Sequence, residues 1–293
     1  GLLADLDPAR AGRDQMPFLK ESSAVVNART TNWTAAPCPT QPWAELVHPQ
    51  LDGAAALERL WEQVVHMCRL DEQDPVAAWR GRMDDLVAVS GRLTERRLDA
   101  LHFEGPGTDL RVGLLATSRW TCASFSTVDG LAHMPNLPSE EIFTTPDPER
   151  VDGHVRSTKP LVVGGVIVRG LNVRFDGGCA VDIAAEDNGE LLAQYARRDD
   201  GACRLGEVAL VDGAGRIGPL DTVFYDTLID ENAASHIALG SAYEFTVGEN
   251  EYDRINRSQI HIDFMIGASD VDVTGLTTGG ERVPVLRRGE WQI

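Results

Sequence analysis

Near residue 100 the chain changes its hydrophobic period, and that change constrains its fold more than any other feature. Before it, "AAALERLWEQVVHMCRL" (54–70) places Leu57, Leu60, Trp61, Val64, Val65 and Cys68 at three-and-four spacing, the pattern of an amphipathic helix. A second helical stretch runs over 74–98, with Asp74-Pro75 as cap and first turn. Beyond Leu101 come short β-like runs separated by Gly and Pro: "LHFEGPGTDLRVGLL", "PLVVGGVIVRGLNVRF" and "GCAVDIAA". Two further helices, near 188–198 and 230–239, interrupt them. The pattern predicts an α+β class: a mixed, sheet-rich domain with a helical hairpin near the N-terminus.

The bulk chemistry narrows what such a domain does. The chain has 293 residues, 43% of them hydrophobic, enough to bury a sizeable core. Acids outnumber bases 45 to 27, a net charge of -18, which argues against nucleic-acid binding because phosphate backbones are held by a surplus of Lys and Arg. The longest apolar run, "PLVVGGVIV" (160–168), is far shorter than the roughly 20 residues of a membrane-spanning helix. Five cysteines form no CxxC and no regular framework, and an odd count suits a reducing, cytoplasmic compartment.

Familiar nucleotide and hydrolase motifs contribute little. "GAGRIG" (213–218) satisfies GxGxxG, but Pro219-Leu220-Asp221 follows where a helix should open, so it reads as a Gly-rich turn. Neither a GxSxG elbow nor a GxxxxGK[ST] phosphate loop occurs.

The chemistry-bearing residues stand out by their apolar settings. In "SQIHIDFMIG" (258–267), His261 and Asp263 are two residues apart in a strand-like run, so they share one face while Ile260, Ile262 and Phe264 take the other. Buried, such a pair must be hydrogen-bonded, ion-paired or bound to metal. A two-His-one-carboxylate iron site would need a later His, and none follows His261. His48, His66, His102 and His154 read as structural. His236 falls in "DTLIDENAASHIALGSAY" on the expected 230–239 helix, with Asp230 as N-cap, Glu231 in its first turn and Gly240 as its stop. Tyr243, seven residues on, would lie on the same helical face if the helical path continued. Glu141, in "MPNLPSEEIFTTPDP", and Glu207, in "CRLGEVALVDG", are acids embedded among apolar and turn residues.

Taken together, "GPGTDLRVGL", "NLPSEEIFTTPDPERVDG", "RLGEVALV", "TLIDENAASHIALGSAY" and "NRSQIHIDFMIG" resemble the M29 family of metallo-aminopeptidases, of the aminopeptidase T and S type, from about Trp43 to the C-terminus. The resemblance implies a site of two divalent metal ions (zinc, cobalt or manganese) with no HExxH helix. Its implied ligands are Glu141, Glu207, His236, His261 and Asp263, with Glu231 an associated acid. Tyr243 matches the family's catalytic tyrosine, and Glu141 or Glu207 would carry the proton. The resemblance also implies peptide substrates with a free N-terminus, attack by metal-activated water, and a homodimer for the full-length protein. In that frame residues 1–50 are a leading segment joining an N-terminal domain, and 51–293 are the catalytic region.

Overall fold

The computed structural model describes residues 19–293. Of the expected leading segment, residues 1–18 lie outside the described residues. Helices occupy Leu19–Ala28, Gln41–Val47, Gly53–Met67 and Pro75–Arg96. The two long ones begin where the sequence puts their caps: Asp52 accepts from Ala55 N–H at 3.0 Å, Asp74 accepts from Ala77 N–H at 2.9 Å, and Pro75 fills the first turn. Each turns its apolar face to a different core. Ala56, Leu60, Val64 and Met67 pack with Ala44 and Val47 of the preceding helix and with Ile217, Phe224 and Ile229. Trp79, Met83, Leu86, Val89 and Leu93 join the main core beneath the sheets.

The sheet region begins with the hairpin β1 (Ala100–Gly105) and β2 (Thr108–Leu114), followed by β3 (Thr121–Cys122), β4 (Phe125–Ser126), β5 (Ala132–His133), β6 (Glu141–Thr144) and β7 (Pro146–Arg156). A small hairpin, β8 (Leu161–Val163) and β9 (Val166–Val168), turns at Gly164-Gly165, both with positive φ as a tight primed turn requires. Then come β10 (Asn172–Asp176), β11 (Cys179–Ala184), the helix Gly189–Tyr195, β12 (Leu205–Val211), the helix Thr227–Glu231, β13 (His236–Gly240), β14 (His261–Met265), β15 (Asp272–Leu276), β16 (Arg282–Arg287) and β17 (Glu290–Trp291). They form an eight-stranded sheet, β11-β10-β7-β2-β1-β15-β16-β17, and a five-stranded sheet, β14-β13-β12-β6-β3, in which every pair is antiparallel. Both sheets feed one core.

Two expectations are corrected here. The helix over 230–239 is in fact a short helix, Thr227–Glu231, capped by Asp226, and then a strand, β13, that carries His236. Pairing with β12 on one side and β14 on the other holds "HIALG" extended and overrides its helical reading. Asp230 is not the cap; its buried carboxylate accepts from the Phe224 and Asp226 N–H groups at 2.9 and 3.3 Å. The cysteines, read as suiting a reducing compartment, include one disulfide, Cys179–Cys203, while Cys38, Cys68 and Cys122 are free. The 213–218 segment is a Gly-rich turn that opens no α-helix, as read. Among the described residues no helix is long and apolar enough to cross a membrane.

Candidate metal centre

The five-stranded sheet presents two chemically opposite faces. Ile142, Val208, Leu210, Ile237, Leu239, Ile260 and Phe264 enter the main core, with Ile262 packed against it. The other face is set by register. Asp263 pairs with Ala238 and Ala238 with Glu207; His261 pairs with Gly240; His236 pairs with Ala209; Val211 pairs with Glu141. Side chains of paired residues share a face. The pairing therefore gathers Glu141, Glu207, His236, His261 and Asp263 from four strands over a floor of Ala209, Ala238 and Gly240. Small residues there leave room above them.

Two backbone features aim these groups. A bulge at Gly206 shifts the register between Leu205 and Glu207, so Leu205 keeps the core face while Glu207 takes the polar one. At Gly240, φ is +107° and a Cβ would run into the Ile260 carbonyl, so the strand edge closes on its neighbour only with glycine. Glu231 arrives differently, from the end of the Thr227–Glu231 helix, and is the member of the set that lies off the sheet.

The contacts are close. His236 Nε2 lies 3.0 Å from Glu141 Oε2, and His261 Nε2 lies 3.2 Å from Glu207 Oε2 and 3.4 Å from Asp263 Oδ1. Three overlapping donor groups result: Glu141, Glu207 and His236; Glu207, His261 and Asp263; Glu231, His236 and Asp263. Within each, the candidate ligand atoms lie within 4.8 Å of one another.

Three observations show that this donor set fits a cation. Each imidazole has Nδ1 against a backbone carbonyl, His236 on Ala234 O at 3.1 Å and His261 on Ser241 O at 2.8 Å. An Nδ1–H donated there leaves the Nε2 lone pair facing the carboxylates, the orientation metal-binding histidines adopt. Glu141 Oε2 is buried and accepts no hydrogen bond, its contact with His236 being near but misaligned. Two acceptors aimed at common space are satisfied by a positive ion between them. Finally, mixed carboxylate and imidazole donors suit borderline divalent ions.

Electrostatics reports the same crowding of negative charge. Burial pushes the Glu207 and Glu231 carboxyls above the usual carboxylate range, Glu231 well above it, and the neighbouring Asp263 and Glu141 charges add to the rise. Burial alone would lower both imidazoles. Instead the Glu141 contact holds His236 well above its ordinary value, and the Asp263 carboxylate does the same for His261. Burial likewise opposes ionisation of Asp263, but His261 draws it below the ordinary range.

Tyr243 stands at the rim, half-buried, its ring centroid 5.4 Å from that of His261. It is not two helical turns from His236, since the chain leaves β13 at Gly240 and the Tyr243 backbone is then held by Thr145 Oγ1, which accepts from its N–H at 3.3 Å and donates to its C=O at 3.0 Å. Burial pushes its phenol up, so it stays protonated and able to donate. Tyr243 packs against Phe143 and Phe245, with ring centroids 5.5 and 5.4 Å away.

The structure thus brings every sequence-predicted site residue to one cavity of about 150 Å³, and adds others that sequence reasoning missed: Val26, Trp33, Phe125 and Asn136. Val26, Trp33 and Phe125 had only their apolar or aromatic character as a sequence signal, and Asn136 had none.

The family comparison decides what kind of site this is. The family described as thermophilic metalloprotease (M29) matches residues 1–291. The chain belongs to the M29 family. It is a metallo-aminopeptidase, a peptide hydrolase. Among its M29 relatives, aminopeptidase T of Thermus aquaticus is 45% identical over 300 residues, covering 99% of this chain and 74% of its own. Aminopeptidase 2 of Geobacillus stearothermophilus is 37% identical, covering 99% and 73%. The solved structure of wild-type AmpT from Thermus thermophilus superposes with a TM-score of 0.90 at 42% identity, over 99% of this chain and 73% of that one.

Proposed function

We propose that this M29 enzyme releases N-terminal residues from peptides at a dinuclear centre on the polar face of the five-stranded sheet. The observation that carries the reading is the overlap of the three donor groups, in which Glu207, His236 and Asp263 each belong to two. One closed tetrahedral ion uses four donors, so six side chains in overlapping sets suit two ions that share ligands. We propose zinc, cobalt or manganese, which mixed Glu, Asp and His donors accept alike.

Held by these side chains, two divalent ions would supply Lewis acidity that acidifies a water towards a pKa of about 7 and polarises the scissile carbonyl. The rest falls to the side chains. The Tyr243 hydroxyl, kept protonated, donates to the oxyanion that develops on the carbonyl oxygen. Glu141 and Glu207 are the two candidate proton carriers, each lying against an imidazole, Glu141 at 3.0 Å from His236 and Glu207 at 3.2 Å from His261. One of them takes the proton from the attacking water and passes it to the leaving amine. The surplus of carboxylates also suits recognition of a substrate's free α-ammonium, which sets the register of cleavage at the first peptide bond.

The same reading extends to a homodimer for the full-length protein, a leading segment at 1–50 joining an N-terminal domain, and a cytoplasmic setting, which the odd cysteine count suits and the Cys179–Cys203 disulfide argues against. Activity is tested by incubating the metal-loaded protein with one peptide in free and Nα-acetylated form. Release of the first residue from the free peptide alone is expected, and equal cleavage of both would overturn the aminopeptidase reading.

A further inference from the structure

Five of the six candidate ligands ride on paired strands, which fix them by register. Glu231 does not. It ends a five-residue helix, too short to hold its own orientation, and its neighbour Asn232 caps that helix. Asn232 is fully buried, and its side chain makes two hydrogen bonds that point in opposite directions. Its Nδ2–H donates back to Leu228 O in the helix at 2.8 Å, and its Oδ1 accepts the Glu140 N–H at 2.7 Å.

Glu140 immediately precedes Glu141, the first residue of β6. It is itself anchored. Its buried carboxylate accepts from Arg69 Nη2 at 2.8 Å and Arg82 Nε at 2.6 Å, and Arg82 Nη2 reaches Asp212 Oδ1 at 2.6 Å, one residue past the end of β12. An arginine from the Pro75–Arg96 helix therefore clamps the start of β6, beside Glu141, to the end of β12, and Asn232 ties the Glu231 helix to that clamp.

We propose that Asn232 is a positioning residue for Glu231, locking this off-sheet carboxylate against the sheet-borne donors and so setting the affinity of the Glu231, His236 and Asp263 group. The inference rests on the dinuclear reading above. Outer partners that orient a ligand are worth about 10–100-fold in metal affinity when removed. Loss of Asn232 should act on one binding step, because Glu141, Glu207 and His261 keep their strand register without it.

The experiment is a titration of metal-free protein with Zn²⁺ or Co²⁺, resolving successive binding steps, on the parent, Asn232→Leu and Asn232→Asp, with thermal unfolding of the metal-free forms alongside. Leu keeps a branched outline of greater bulk and removes both bonds; Asp keeps the acceptor for Glu140 N–H. In Asn232→Leu one step should weaken about 10–100-fold while the other stays at the parent value, and excess metal should restore kcat. Asn232→Asp should bind closer to the parent than Asn232→Leu. If Asn232→Leu does not fold, Asn232→Ala carries the same expectation. Unchanged affinity at both steps with a lowered Tm would make Asn232 a purely structural residue and overturn the proposal, as would an Asp variant as impaired as the Leu one. A parent that takes up only one ion would instead sink the dinuclear reading itself.

Discussion

The two large sheets of this molecule use the same antiparallel pairing for opposite ends. In the eight-stranded sheet, strands alternate plainly: Leu101, Phe103, Leu110, Val112, Val173 and Phe175 enter the core, while Glu104, Asp109, Arg111 and Arg174 face water. Its outer charges pair across the surface, as Arg282 with Glu104 at 2.7 Å. In the five-stranded sheet, β12 and β13 are buried on both faces. Its second face is largely shielded from bulk solvent around a small cavity, yet carboxylates and imidazoles occupy it. A polar group on the first sheet costs little because solvent satisfies it, whereas one on the second is stable only if neighbours or cations satisfy it. The candidate site lies where the fold shields its polar groups from bulk solvent.

That contrast can be broken by substitution. The largest effect is expected from Asp263→Ala, which removes an anionic donor belonging to two of the three groups. Lewis-acid stabilisation is worth several kcal/mol, and about 1.4 kcal/mol is tenfold, so kcat/KM should fall by roughly 10³ or more together with metal content. Metal analysis and kinetics on one preparation check it; retained metal with retained rate would show the face to be ordinary buried polarity.

Tyr243→Phe sharpens the division of labour within the site. It removes one hydroxyl from the rim and no ligand, so kcat should fall by about 10²–10³ while metal content stays at the parent level. Loss of metal in this variant would mean that the phenol holds the ion and not the oxyanion.

How much of this was legible in the sequence follows the same contrast. The alternation of the eight-stranded sheet is a period-two signal, and the two long helices announce themselves by stripe and cap, so these elements could be read directly. The strands β12 and β13 lack that signal, because a segment buried on both faces is a short apolar run that a helix can share. This is why 230–239 reads as helix, and why Tyr243 reads as sharing a face with His236 if the helical path continues. His261 and Asp263 were visible as a shared strand face. Glu141, Glu207 and Glu231 had modest signals of their own, and their grouping came from family resemblance. The bulge at Gly206 that turns Glu207 inward and the Asn232 bond to Glu140 are tertiary facts, set by register and by a contact across 92 positions of chain.

Ile237→Val tests the apolar side of the strand that carries His236. Ile237 is fully buried in the main core, so removing one methylene should lower stability by about 0.5–1.5 kcal/mol in a denaturant titration while both metal content and kcat stay unchanged. A change in metal affinity would show that the two faces are mechanically coupled.

Arg282→Ala on the outer face of the eight-stranded sheet should do least. Its ion pair with Glu104 is exposed on both sides, and such pairs contribute about 0–1 kcal/mol. A Tm shift of several degrees would mean that this face is less solvent-satisfied than its alternation implies.

The central claim is that the polar face of the five-stranded sheet holds two ions through shared donors. Anomalous scattering, collected at the absorption edge of the added metal from crystals grown with zinc or cobalt, tests it most directly. The account predicts two peaks about 3.5–4 Å apart, enclosed by Glu207, His236 and Asp263 with Glu141, Glu231 and His261 around them. A single peak at saturating metal, or peaks placed away from this face, would contradict it.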